Sequence, residues 1–148
     1  MRKESEGVTE TLLESAEREF LKYGFRDASL RRISSESGVS TNSIYTRFKD
    51  KEGLFEALVK PAADGLMNIY INSVQAASGV SAVSDAINYG NQGTDEVLEY
   101  IYSNFNAFRL IFCHSAGTKY EDYFDRLAEI EESYYRKFAI QFAVDKTV

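Results

Sequence analysis

Small polar residues punctuate the stretch 29–50 at intervals that leave the backbone little freedom. Ser29, Ser40 and Asp50 carry side-chain oxygens that cap helix N-termini. Gly38 accepts the left-handed conformation that ends a helix. Between these marks fit one helix over 30–37 and another from residue 41 to about 48, each roughly two turns long. Leu30 and Ile33 fall on the inward face of the first, Ile44 and Phe48 on that of the second. Val39 plugs the core between them. Helices this short do not stand alone in water, so both must pack on a larger neighbour. A helix, a tight turn and a second helix is the geometry that can lay one helix in a DNA major groove.

The neighbour is supplied on either side. Val8, Leu12, Ala16, Phe20 and Tyr23 recur at helical spacing and predict an amphipathic helix over 7–23, stopped by Gly24. Asp50 caps a fourth helix that starts at Lys51 and carries Leu54, Phe55, Leu58 and Val59. Pro61 should kink or end it, and Leu66, Ile69, Tyr70 and Val74 favour a kinked continuation to about residue 77. A short helix over 80–89 fits the small polar residues there, with Gly90 and Gly93 after it. Leu98, Ile101, Phe105, Phe108 and Phe112 then predict one helix from Thr94 to about 112, broken by the Ser-Ala-Gly-Thr run at 115–118. Tyr123, Leu127, Ile130, Tyr134 and Phe138 mark a last helix. Strand-type alternation is nowhere sustained, so the fold class is all-α: a three-helix helix-turn-helix domain over 1–53, joined by a linking fourth helix to a helical body over 54–148.

Charge tests the DNA idea, because the chain carries 17 Lys and Arg against 23 Asp and Glu, a net −6. The deficit is not uniform. Residues 1–53 hold ten basic and ten acidic side chains, and the whole excess of acid lies in 54–148. Within 24–51 the balance is positive: Arg26, Arg31, Arg32, Arg47, Lys49 and Lys51 against Asp27, Glu36 and Asp50. Local charge is what meets phosphate. The single cysteine, Cys113, excludes an internal disulfide and a multi-cysteine metal site, and fits a reducing, cytoplasmic setting. The charged start has no signal-peptide pattern, and no apolar run approaches a membrane span.

The second short helix carries the chemistry. Thr41, Asn42, Ser43, Thr46 and Arg47 are all polar, and Ser and Thr are mediocre helix formers, which points to contacts as the reason for their presence. Arg47 could bond a guanine edge or a phosphate, and Asn42 could read adenine. Tyr45, Lys51 and Arg31 are placed to reach phosphate. Short polar helices also occur in ordinary helical proteins, so the pattern alone leaves a plain structural role open.

Residues 12–58, from Leu12 through Tyr23-Gly24-Phe25, Gly38-Val39-Ser40, Ile44-Tyr45 and Lys51-Glu52-Gly53-Leu54, resemble the N-terminal domain of the TetR family of transcriptional repressors. The resemblance implies that 41–47 is the recognition helix. Thr41, Asn42, Thr46 and Arg47 would face bases, Ser29 and Arg31 would touch the backbone, Tyr45 would lie on a phosphate, and Lys51 would clamp another. Asn42 and Arg47 depart from the family, which often has a small residue and a histidine there, so the operator cannot be borrowed. The resemblance further implies a homodimer on a palindromic double-stranded DNA operator, with an inducer bound in the C-terminal body. Relatives continue past the point where this chain stops, so 54–148 is expected to be an incomplete ligand-binding and dimerisation domain.

Residues 100–142 hold twelve aromatics, and aromatic walls suit an apolar or planar ligand. Aromatics on a helical stripe are more often core. Tyr70, Tyr102, Asn104, Phe105, Phe108 and Tyr134 are the ligand-binding candidates. Cys113 beside His114 could sense oxidants or metal, but a buried cysteine and a capping histidine are the plainer reading. No nucleophile–base–acid set and no phosphate-binding glycine loop is present, so the expectation is a non-enzyme without cofactor or metal. The competing function is a helical small-molecule or partner-binding protein that does not use DNA. The acidic body favours it slightly, and the polar face at 41–47 argues against it.

Overall fold

The computed structural model describes residues 2–77 and 83–145, and all its ordered elements are α-helices: α1 (Arg2–Asp27), α2 (Leu30–Ser37), α3 (Thr41–Phe48), α4 (Lys51–Ala77), α5 (Val83–Ser103), α6 (Phe105–Cys113) and α7 (Tyr123–Asp145). None of the described helices is long and apolar enough to cross a membrane. Among the described residues no cluster of His, Cys, Asp and Glu could hold a metal ion.

The chain forms two compact units. The first is Met1–Ala63 with Phe105–Glu121, the second Asp64–Asn104 with Asp122–Val148. This grouping differs from a simple cut at residue 53, because α6 and the loop after it pack with the helix-turn-helix unit. In the first unit α1 packs on α2 and on α6, and α2 packs on α3. Leu12, Ala16, Phe20, Ile33, Ile44, Leu54, Phe55 and Val59 are buried together with Phe108, Leu110 and Ile111 of α6. Phe55 meets the Phe20 ring edge-on at 5.2 Å and the Phe25 ring at 5.6 Å. The loop 114–121 is held by Phe25 N–H donating to the His114 carbonyl at 3.0 Å, and by Lys119 on Glu56 at 2.6 Å.

Several expectations are corrected. α1 starts before residue 7; Gly24, at φ 76°, ψ 167°, interrupts it where a stop was expected, and helical residues resume to Asp27. Tyr23 is not core; it is 39% exposed, and the Arg32 guanidinium lies 4.2 Å from its ring centre. α4 continues through Pro61 to Ala77, the continuation that Leu66, Ile69, Tyr70 and Val74 favoured. The helix expected over 80–89 lies partly outside the described residues; from Val83 on it is continuous with the next, through Gly90 and Gly93. A helical glycine costs only about 1 kcal/mol relative to alanine, too little to break a helix propagated from both sides.

The helix expected from Thr94 to about 112 is instead broken at Asn104. Its backbone N–H donates to the Tyr100 and Ile101 carbonyls at 3.1 and 3.2 Å, and its side-chain amide to the Tyr100 carbonyl at 3.0 Å. An asparagine that offers the backbone a local partner in this way competes with helix propagation. Cys113 is exposed rather than buried.

Candidate nucleic-acid interface

α2 is seated by capping and by one buried carboxylate. Ser29 has extended backbone (φ −119°, ψ 122°), and its side chain accepts from Arg32 N–H at 3.3 Å. Glu19 of α1 is only 5% exposed. It accepts the Ser29 N–H at 3.0 Å and grips the Arg32 guanidinium, whose Nε lies 2.9 Å and Nη2 2.8 Å from its Oε2. Arg32 also donates to the Asp27 carbonyl at 2.9 Å. The hydrogen bond to Glu19 is the main cause holding the Arg32 pKa above its ordinary value. The sequence held a signal for this site: Glu19 falls in the buried face between Ala16 and Phe20, and a buried acid requires a partner.

The turn between the helices is built as its residue types require. Gly38 is left-handed at φ 74°, ψ 8°, and its N–H donates to the Ser34 carbonyl. Val39 is buried. Ser40 caps α3 by accepting from Ser43 N–H at 3.1 Å. Ile44 alone among the eight α3 residues is buried. Asn42, Tyr45, Thr46 and Arg47 are exposed, while Thr41, Ser43 and Phe48 are half-buried. Thr46 Oγ1 donates to the Asn42 carbonyl at 2.9 Å. Arg47 donates from Nε to Ser43 Oγ at 3.3 Å and from Nη1 to Thr9 Oγ1 of α1 at 2.6 Å. Thr9 carried no signal in the sequence, being 38 residues from its partner.

α3 is joined to α4 through a strained link. Lys49 has φ 75°, ψ −53°, and the Asp50 N–H donates to the Phe48 carbonyl at 2.9 Å, a γ-turn of the rare positive-φ kind. Asp50 then caps α4, accepting from Gly53 N–H at 2.7 Å. The Phe48 carbonyl presses on Gly53 so closely that a Cβ there would lie 1.9 Å from its oxygen. Gly53 appeared in the sequence only as part of a motif; this contact is its physical reason.

The expected DNA-facing residues lie in one unit, on α2, α3 and the start of α4. Arg31 is exposed in the first turn of α2, beside the Ser29 cap. Lys51 is tied down: its ammonium donates to the Arg26 and Ala28 carbonyls at 3.1 and 3.2 Å and sits 4.7 Å from the Phe25 ring centre.

The ligand candidates do not share one unit. Phe105 and Phe108 belong to the first, where Phe108 is core; Tyr70, Tyr102, Asn104 and Tyr134 belong to the second. Tyr102 is 78% exposed. Burial pushes the Tyr70 and Tyr134 hydroxyls up, with Tyr135 adding to both and Glu131 to Tyr70.

Comparison with known proteins bears on this geometry. Residues 12–58 match the model for bacterial regulatory proteins of the tetR family. The HTH-type transcriptional repressor AcnR of Corynebacterium glutamicum is 40% identical over 52 residues, 35% of this chain and 28% of its own length. An HTH-type transcriptional regulator of Haemophilus influenzae is 32% identical over 94 residues, 64% of this chain and 43% of its own. The chain thus spans less than half the length of either relative. A crystal structure of a TetR-family regulator from Mesorhizobium loti covers 90% of this chain and 61% of its own at TM-score 0.44 and 20% identity, a likeness too loose to argue from. Residues 12–58, the helix-turn-helix and its flanking helices, are thus similar to the N-terminal domain of the tetR family of bacterial regulatory proteins.

Proposed function

We propose that the chain is a cytoplasmic DNA-binding transcriptional regulator: a ligand-responsive repressor that grips a palindromic operator as a homodimer. The observation that supports this best is the outer face of α3. Asn42, Tyr45, Thr46 and Arg47 are exposed there, beside half-buried Thr41 and Ser43, while Ile44 anchors the helix from below. In this reading Thr41, Asn42, Thr46 and Arg47 meet base edges, and Ser29, Arg31 and Tyr45 meet phosphates. Lys51 contributes a charge fixed in place by the Arg26 and Ala28 carbonyls rather than a mobile clamp. Two copies would set their α3 helices in successive major grooves, ~34 Å apart. The repressor name of AcnR favours repression over activation. No catalytic role is part of this reading.

The inducer would occupy the second unit, near Tyr70 on α4 and Tyr134 on α7, and act through α4, which runs unbroken from Lys51 to Ala77. It can do so only by binding one inter-helix spacing more tightly than the other.

The test uses the full 148-residue chain and duplexes enriched from a random pool. Arg47→Ala is expected to lose about 1–3 kcal/mol of specific affinity, roughly tenfold to a hundredfold. Tyr45→Phe should lose about 1 kcal/mol, the usual worth of one hydrogen bond. Unchanged affinity in both variants would remove α3 from the interface.

A further inference from the structure

We propose that Thr9, which lies outside the helix-turn-helix, is a specificity-determining residue that positions the Arg47 guanidinium for base reading. The inference rests on the DNA-binding role proposed above for α3. Arg47 stands in the last turn of a helix only eight residues long. An arginine there has a long flexible stem, and its usefulness as a bidentate reader depends on fixing the plane of its fork. Two hydroxyls do this from two helices. Ser43, one turn earlier on α3, accepts from Nε at 3.3 Å. Thr9, on α1, accepts from Nη1 at 2.6 Å, the short distance of a charge-assisted hydrogen bond. Because the contacts with Ser43 and Thr9 come from two different helices, the guanidinium is oriented relative to the body of the unit as well as to α3. α1 in turn packs on α2, so the reading arginine and the turn that aims α3 share one support. Thr9 is a positioning residue in this scheme: it acts through Arg47.

The experiment compares the wild-type chain with Thr9→Val, Thr9→Ser and Arg47→Ala. Each is put through selection on random duplex DNA, and affinities are then measured for the enriched duplex and its single-base-pair variants. Valine keeps the shape of threonine and removes the hydroxyl; serine keeps the hydroxyl. Arg47→Ala should flatten preference at one base-pair position in each half-site. Thr9→Val should weaken preference at that same position about threefold to tenfold, in line with one lost hydrogen bond. Its unfolding midpoint and the salt dependence of binding should stay at wild-type values, and Thr9→Ser should restore the preference. If Arg47→Ala changes the preference and Thr9→Val does not, the role of Thr9 is refuted while the interface stands. A Thr9→Val variant that sharpens the preference refutes it equally, since Thr9 would then be holding Arg47 away from DNA. If Arg47→Ala itself leaves every preference unchanged, the reading of α3 fails and the role of Thr9 with it.

Discussion

Gly53→Ala is expected to cost about 2–4 kcal/mol of stability and to lower DNA affinity at least tenfold at temperatures where the variant remains folded. The reason is backbone against backbone. The added Cβ would lie 1.9 Å from the Phe48 carbonyl oxygen, 3.1 Å from its carbon and 3.3 Å from Asp50 Oδ1. A flexible side chain could swing away from such a clash, but the Phe48 carbonyl cannot. It already accepts from Asp50 N–H across the γ-turn, and Lys49 is held there at φ 75°, where a residue with a Cβ is strained. Relief therefore requires opening the turn or shifting the first turn of α4, and either moves α3. Urea unfolding reads the stability loss, and affinity for an enriched duplex reads the displacement. Gly7→Ala is the control, because nothing lies within 4 Å of a Cβ at that position. It should be neutral or slightly stabilising, as expected for alanine replacing glycine in a helix. A Gly53→Ala variant no less stable than Gly7→Ala would contradict the contact.

Glu19→Ala should destabilise the first unit by about 3 kcal/mol in the same unfolding experiment. Breaking a buried ion pair by removing one partner typically costs about 3–5 kcal/mol. The lower end applies because the Arg32 side chain is 49% exposed and water can take over part of its solvation. The Ser29 N–H loses its partner in the same substitution. Arg32→Ala alone should cost less, since the carboxylate still accepts from Ser29. The double variant should cost less than the two single losses added together, which is the signature of a shared network. Because Ser29 caps α2 and Arg31 follows it, Glu19→Ala should also weaken DNA binding without changing which sequence is preferred. Strictly additive losses would mean that Glu19 and Arg32 do not act as a unit.

What was legible in the sequence was whatever is decided within a few residues. Ser29, Ser40 and Asp50 cap their helices because a cap reaches only two or three residues ahead, and Gly38 turns the chain because its own φ must be positive. The stripe Leu12, Ala16, Phe20 was equally plain, since helical spacing forces those side chains onto one face. Contacts between distant segments were not legible. Nothing near Thr9 announces Arg47, and nothing near Phe108 announces that α6 packs on α1. The aromatic wealth of 100–142 suited a ligand wall, with core as the commoner reading of such a stripe. The fold instead assigns Phe105 and Phe108 to one unit and Tyr70 and Tyr134 to the other, and Asn104 ends α5 where continuous periodicity suggested a single helix. Asn104 sits between Ser103 and Phe105 within an uninterrupted helical spacing of Ile101, Phe105 and Phe108, so its competing hydrogen bonds to Tyr100 could be recognised only in three dimensions.

The central claim, that the face of α3 binds duplex DNA with help from Ser29 and Arg31, is tested most directly by salt. Binding of the full chain to its enriched duplex should weaken steeply and linearly in log salt, as phosphate contacts release counterions. Arg31→Ala should make that slope shallower by about 1 for each bound copy while leaving sequence preference intact. Failure to retain any duplex, even at the lowest salt, would contradict the account.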